Sequence, residues 1–235
     1  VFDVSIIIPT YNEAKNLPLL VEEIFSSLSA DINAELIVVD DNSPDGTGRI
    51  AEELSSRFPM RVVHRAGKMG LGSAVIAGFA QSRRPYLGVM DADLSHDPAI
   101  LTQLIYGLRD SDIVVGSRFN TGSSVENWQW WRKMISKIGV FFAAKLTKVN
   151  DPLSGFFFLH RSIIENMQLR TVGYKILLEI LVRCRYNAVK EIPFNFRMRK
   201  FSTSKLNYTE YILFAGQLLR FSLIKLYEKF FSWLH

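Results

Sequence analysis

Five short strand-like runs, four of them apolar, separated by stretches of helical periodicity, restrict the fold of this chain more than any other feature. Val4 to Pro9 is β-branched and closes on a proline. Leu36 to Val39, Arg61 to His64, Tyr86 to Met90 and Ile113 to Gly116 follow in turn. Short runs rich in Val and Ile are what strands buried inside a sheet require. Between the first two, Leu17, Leu20, Val21, Ile24 and Leu28 recur at helical spacing, so residues 16–29 read as a helix. Further helices are expected up to Leu54, where Pro59 closes the stretch, over Ala74 to Ala80, and from Pro98 to Leu108. Residues 155–159 and 188–196 read as additional strands. Such alternation builds an α/β domain with a mostly parallel sheet and helices on both faces.

In that architecture ligands bind beyond the carboxyl ends of the strands. Three polar clusters fall there: Thr10 to Glu13, Asp40 to Asp45, and Asp91 to His96. The third has the sharpest chemistry. An apolar run from Leu87 to Met90 stops abruptly at Asp91-Ala92-Asp93. Two carboxylates at a strand tip can share one hard cation, and Mg²⁺ or Mn²⁺ prefers carboxylate and water oxygens. The competing reading is a solvated acidic turn capping the helix that starts at Pro98. Three polar clusters on one edge favour a binding crevice. Gly67, Gly70 and Gly72 add a flexible loop; their spacing alone does not define a phosphate-binding loop.

Charge divides the chain. Residues 1–100 carry 8 Lys/Arg and 14 Asp/Glu, whereas residues 101–235 carry 20 and 9, so a net of −6 faces a net of +11. The second half is therefore expected to meet something anionic: phosphate groups, an acidic membrane surface or nucleic acid. Residues 127–150 hold five Lys/Arg, no acid and three tryptophans, and Arg132 and Ser136 share a helix face. Trp128, Trp130 and Trp131 suit an interface, while Phe141 and Phe142 are expected in the core. Arg197, Arg199, Lys200 and Lys205 form a second acid-free run. From Tyr211 to His235 the chain is amphipathic, with Ile212, Leu219, Leu223, Leu226, Phe230 and Trp233 near one face. Its charge-free stretch is too short to span a bilayer. It reads either as an interfacial helix or as a terminal helix docked on the domain or another subunit. The first apolar run is too short for a signal peptide. The lone Cys184 excludes an internal disulfide and a cysteine-rich zinc site, and His64, His96, His160 and His235 lack metal-binding spacing. A nucleic-acid-binding module is disfavoured, because the acidic clusters would repel the ligand and the aromatics do not form a stacking platform.

Read in order, IIIPTYNEAKNLPLL (6–20), VVDDNSPDGT (38–47), HRAGKMGLGSAVIAGF (64–79), MDADLSHDP (90–98), VVGSRF (114–119), VENWQWWRKMISK (125–137), DPLSGFFFLHR (151–161) and SKL (204–206) resemble the family-2 glycosyltransferases of the GT-A fold. The DNSPDGT, V-x-N-W and D-P-x-S-G-F pieces are similar to the branch that makes polyprenyl-phosphate hexoses. The resemblance implies a catalytic domain over residues 1–206, with a nucleotide-sugar and metal half to residue 117 and an acceptor half from 118, followed by an amphipathic segment over 207–235. It implies a nucleotide-sugar donor, normally GDP-mannose, and dolichyl or another polyprenyl phosphate as acceptor, with inversion at the anomeric carbon. Another nucleotide sugar, such as a glucose donor, is the alternative.

Residue by residue, the resemblance assigns Pro9, Tyr11, Glu13 and Asp41 to the nucleotide. It assigns Asp91, Ala92 and Asp93 to the donor diphosphate and its Mg²⁺ or Mn²⁺, with Ser95 as a further metal contact. Lys68 is a candidate diphosphate contact, and His96 either touches phosphate or shapes the turn. Arg118, Arg132 and Ser136 resemble acceptor-phosphate residues, Asp93, Arg118 and Arg132 being the ones expected to act in catalysis. Arg199 and Lys205 resemble closing-loop residues, although Ser202 stands where the family often has Gly. A phosphate nucleophile is already anionic at neutral pH, so no strong general base is required and positioning carries the rate. The implied location is the cytoplasmic face of a membrane, held peripherally, with a partner subunit or a removed segment compatible as anchor.

Overall fold

The computed structural model describes residues 1–119, 124–125, 130–170, 175–198 and 214–226, with side chains excepted at 124–125 and 130–138. A seven-stranded sheet runs through it in the order β3-β2-β1-β4-β7-β5-β8. The strands are β1 (Phe2–Thr10), β2 (Ile32–Asp40), β3 (Met60–His64), β4 (Tyr86–Val89), β5 (Ile113–Ser117), β7 (Phe157–His160) and β8 (Val189–Pro193). β6 (Ser124–Val125) and β9 (Asn195–Phe196) pair separately. All seven main strands are parallel to their neighbours except β7, which runs antiparallel between β4 and β5. The five strands expected in the first half all form, and β1 and β2 extend further back than their apolar runs.

β1 is central and buried on both faces. Ile6 and Ile8 point into a cluster with α1 (Leu17–Ser27), α2 (Thr47–Ser55) and α4 (Leu101–Gly107). Ile7 points into the opposite cluster with α3 (Leu71–Gln81) and α6 (Ile176–Arg183). The alternation is the two-residue period of a strand, here apolar on both faces from Ile6 to Ile8 because helices cover both sides. The helix expected from Pro98 begins as a single 3-10 turn, Pro98–Ile100, before α4. α6 lies outside the helices read from sequence. Seven of its eight residues are buried, so it has no polar face to reveal a helical period.

α5 (Trp130–Thr147) corrects one expectation. Val140 and Ala143 face inward, and Phe141 and Phe142 are 54% and 55% exposed rather than in the core. Successive helical residues turn by about 100°, so burying positions 140 and 143 leaves 141 and 142 outside. Residues 214–226 form a further helix, α7. Phe221, with Phe214, Leu218 and Ile224, packs on Val140 and Ala143 of α5 and Leu178 and Val182 of α6. Leu219, Leu223 and Leu226 remain exposed. The helix is thus docked on one face and apolar on another; Ile212, Phe230 and Trp233 lie outside the described residues. Among the described residues no helix is long and apolar enough to cross a membrane.

Candidate active site

β2, β1 and β4 are neighbours and end at the same edge, where the three polar clusters converge. Each loop contains a non-glycine residue in the left-handed region: Asn12 (φ 58°), Asn42 (φ 56°) and Leu94 (φ 63°). Asparagine tolerates this conformation; leucine does not, at a cost of about 1–3 kcal/mol. The first two loops are laced together. Asp40 Oδ1 accepts from Thr10 Oγ1 at 2.9 Å and from Ser43 Oγ at 2.5 Å, and its Oδ2 accepts from Ser43 N at 2.9 Å. Asn12 N donates to Ser43 Oγ at 3.0 Å, and Glu13 N to Thr47 Oγ1 at 2.9 Å. Asp45 accepts from Ala14 N and Thr47 N. Burial is the largest single influence on its carboxyl and pushes it up, but hydrogen bonds from Thr47 and Ala14 together hold it below the ordinary value.

Asp41 sits one residue beyond β2. Its Oδ2 accepts from Met69 N at 2.9 Å and Gly70 N at 3.1 Å. Its Oδ1 lies 3.0 Å from Arg65 Nη1, an ion pair without hydrogen-bond alignment. Arg65 Nη2 donates to Ser73 Oγ at 2.6 Å, so Asp41 and Arg65 together shape the glycine loop and the start of α3. Gly70, at φ 95°, takes a conformation that side-chain-bearing residues avoid. The loop delivers Lys68 Nζ to 4.7 Å above the Tyr11 ring. Arg65 was not among the residues expected from sequence; the basic residue next to His64 in HRAGK was its only signal. Pro9 is buried within β1, paired in register with Val39. Glu13 Oε2 accepts from Asn16 Nδ2 at 2.6 Å.

Asp91 and Asp93 differ in what they are given. Asp93 Oδ1 accepts from Ser95 N at 3.1 Å and from Ser95 Oγ at 2.5 Å, so the Ser95 hydroxyl proton is spent on its neighbour. Asp91 Oδ1 is buried and has no hydrogen-bond partner. A Cβ at Gly155 would stand 3.2 Å from both Asp91 oxygens, so the glycine of the D-P-L-S-G-F stretch is what leaves room beside that carboxylate. Ala92 is buried between them. Among the described residues no three His, Cys, Asp or Glu side chains converge on one point. A cation there would have one or two carboxylates to bind and would need water and phosphate for its other ligands, the manner in which Mg²⁺ is usually held.

Arg118, just past β5, closes a two-pronged fork on Asp151. Nε donates to Oδ2 and Nη2 to Oδ1, each at 2.8 Å, and the Arg118 amide adds a bond of 3.0 Å. Its guanidinium was expected to grip a phosphate; that edge of it grips a fully buried carboxylate instead. Asp151 and Gly155 were visible in sequence only as parts of a motif. Arg132 and Ser136 lie on α5, but their side chains, like Trp130 and Trp131, fall outside the described set, as do Trp128, Arg199 and Lys205 altogether. Arg197 is placed: it donates from its amide to Ser95 O at 2.9 Å, and pairs with Glu23 at 3.1 Å and Asp97 at 2.7 Å.

The family model for glycosyl transferase family 2 matches residues 5–168. Over 208 residues the chain is 45% identical to a dolichol-phosphate mannosyltransferase of Pyrococcus furiosus, a match covering 86% of this chain and 59% of that protein. It is 35% identical to the Saccharomyces cerevisiae protein of the same name, covering 91% of this chain and 85% of the relative. A polyprenol monophosphomannose synthase of Mycolicibacterium smegmatis is 38% identical, with 86% and 80% covered. Among solved structures, glucosyl-3-phosphoglycerate synthase of Mycobacterium tuberculosis, crystallised with Mn²⁺, UDP and glucosyl-3-phosphoglycerate, superposes with a TM-score of 0.69 at 20% identity, covering 94% of this chain and 79% of that one. At that identity the likeness concerns the fold.

The Arg118–Asp151 pair gives a pH signature. Burial alone would raise the Asp151 carboxyl, yet the Arg118 charge and hydrogen bonds, with Lys175, hold it below its ordinary value of 3.8. A depressed folded value means the stabilisation is complete above the unfolded value and drains as pH falls through the folded one. Asp151→Ala strands a buried guanidinium and is expected to cost about 3–5 kcal/mol. The gap between wild type and Asp151→Asn in urea denaturation should hold steady from neutral pH down to about 4 and shrink below it. A gap that closes between about pH 7 and 5 would contradict the assignment.

Proposed function

The chain belongs to glycosyl transferase family 2, and from that premise we propose that it transfers mannose from GDP-mannose to the phosphate of dolichyl or another polyprenyl phosphate, with inversion at the anomeric carbon. The fold is the GT-A fold. The relatives named for mannose transfer to dolichol phosphate support the reaction, and the chain covers 85% of the yeast one. The observation that carries the reading onto this molecule is Asp91, whose buried Oδ1 has no partner beside a glycine that clears space for one.

In this reading Asp91 and Asp93 hold a divalent cation, Mg²⁺ or Mn²⁺, against the donor diphosphate. When bound, the cation neutralises the charge that develops on the departing nucleoside diphosphate. Ser95 enters through Asp93, whose carboxylate it orients. Tyr11, capped by Lys68, offers a ring for the base and a cation beside it for phosphate. Pro9, Glu13 and Asp41 build the wall of the nucleotide slot, and Ala92 adds main-chain surface between the two carboxylates. Arg118 stands beyond β5, held by Asp151. It belongs to the acceptor side with Arg132 and Ser136; these two, and the closing-loop residues Arg199 and Lys205 over the donor, rest on sequence match alone. No protein base is needed, because the attacking oxygen is already an anion. The decisive assay offers the protein dolichyl phosphate with labelled GDP-mannose or UDP-glucose in Mn²⁺. Mannolipid from GDP-mannose is expected, and Asp91→Ala should lower its rate at least about 100-fold while the fold persists. Glucolipid from UDP-glucose with no mannolipid would sink the mannose assignment.

The acceptor's lipid tail places the reaction at a membrane surface, here the cytoplasmic face. Exposed Phe141 and Phe142 on α5 and Leu219, Leu223 and Leu226 on α7 supply apolar surface for peripheral attachment. Flotation with anionic liposomes should carry the wild-type protein up and leave Leu219→Asp/Leu223→Asp behind. Equal flotation of the two would remove α7 from the account.

A further inference from the structure

His96, a buried imidazole five residues beyond Asp91, has no part in the proposed mechanism, yet both of its ring nitrogens lie close to that residue. β4 pairs with β1 as far as Val89, and Met90 N still reaches Ile7 O at 3.1 Å. The Asp91 amide is the first beyond this ladder. A buried N–H without an acceptor is costly, and His96 Nδ1 accepts from it at 3.0 Å. A ring nitrogen that accepts carries no proton, so the imidazole proton resides on Nε2. That atom lies 3.7 Å from Asp91 Oδ2. One ring therefore addresses both the main chain and the carboxylate of Asp91. The left-handed turn at Leu94 is what folds the chain back far enough to permit it.

Three phenylalanine rings enclose the imidazole. It stacks on Phe156 at 4.9 Å and 7°, and Phe194 and Phe196 meet it edge-on at 5.6 and 5.9 Å. Phe156 follows Gly155, the residue that leaves space beside the Asp91 oxygens. A phenylalanine would fill this aromatic box equally well. What imidazole adds is the Nδ1 acceptor for the Asp91 amide, with Nε2 3.7 Å from the Asp91 carboxylate. We propose that His96 is a positioning residue for the divalent cation: by capping the Asp91 amide it fixes the direction in which the carboxylate meets metal and donor diphosphate. The inference rests on the metal reading given under the proposed function. Groups in this position around metal ligands are commonly worth 10–100-fold in affinity.

The test is calorimetric titration of Mn²⁺ into the GDP-saturated protein, paired with thermal melting. His96→Phe keeps the box and removes the acceptor; it is expected to weaken Mn²⁺ by about 10–100-fold with cooperative melting retained. His96→Asn places an amide oxygen where Nδ1 stood and is expected to recover most of the affinity. Wild-type Mn²⁺ affinity in His96→Phe overturns the proposal. If His96→Phe does not fold, His96→Asn decides against His96→Ala: affinity above that of His96→Ala supports the proposal, and affinity equal to it overturns it. Uptake of Mn²⁺ that is abolished by Asp91→Ala but indifferent to His96 sinks this inference alone. A wild-type protein that takes up no Mn²⁺ with GDP sinks the metal reading and this inference with it.

Discussion

Burial of β1 on both faces is the constraint on which the rest of the molecule depends. Ile6 and Ile8 fill one apolar cluster and Ile7 the other, so the strand is fixed in register against β2 and β4. A one-residue slip would exchange the layers that Ile6, Ile7 and Ile8 fill and pull Ser5 from its Glu35 and Ser82 partners, mismatching two packed layers at once. With the register fixed, three parallel strands must stop together. The polar residues that follow them all meet at one edge. The site is a consequence of where the strands end.

At that edge the carboxylates are sorted by what they are given. Asp40 and Asp45 are consumed by hydroxyls and amides of their own loops. Asp41 is turned onto Met69, Gly70 and Arg65, and Asp151 holds Arg118. Each of these shapes a wall. Asp91 alone among these five retains a buried oxygen with no contact to answer it, since Arg65 faces the one on Asp41. A buried unanswered acceptor costs stability, on the order of 1–3 kcal/mol, and the protein concentrates that cost at the end of β4 beside a strained leucine. That is where an incoming cation would recover it.

Much of this was legible in the sequence. The strand-like runs marked every strand of the first half, and the polar residues at their ends marked the crevice, because both depend on local composition. What escaped depended on tertiary partners. α6 hid because burial on all sides leaves no period to read. Phe141 and Phe142 were misplaced because which side of α5 faces inward is set by α6 and α7, not by α5 itself. Arg65 and Asp151 take their roles from partners 24 and 33 residues away, and no local pattern announces such a pairing. Gly155 belonged to a recognisable motif, but its reason, the closeness of Asp91, exists only in three dimensions.

The central claim is that the carboxyl edge of β1, β2 and β4 receives a nucleoside diphosphate through a cation on Asp91. A crystal of the protein grown with GDP and Mn²⁺, measured at the manganese absorption edge, tests this most directly. The account predicts an anomalous peak about 2.0–2.2 Å from an Asp91 carboxylate oxygen, bridging to both phosphates, with the base beside Tyr11. Manganese bound elsewhere, or GDP seated at that edge with no metal on Asp91, would contradict it.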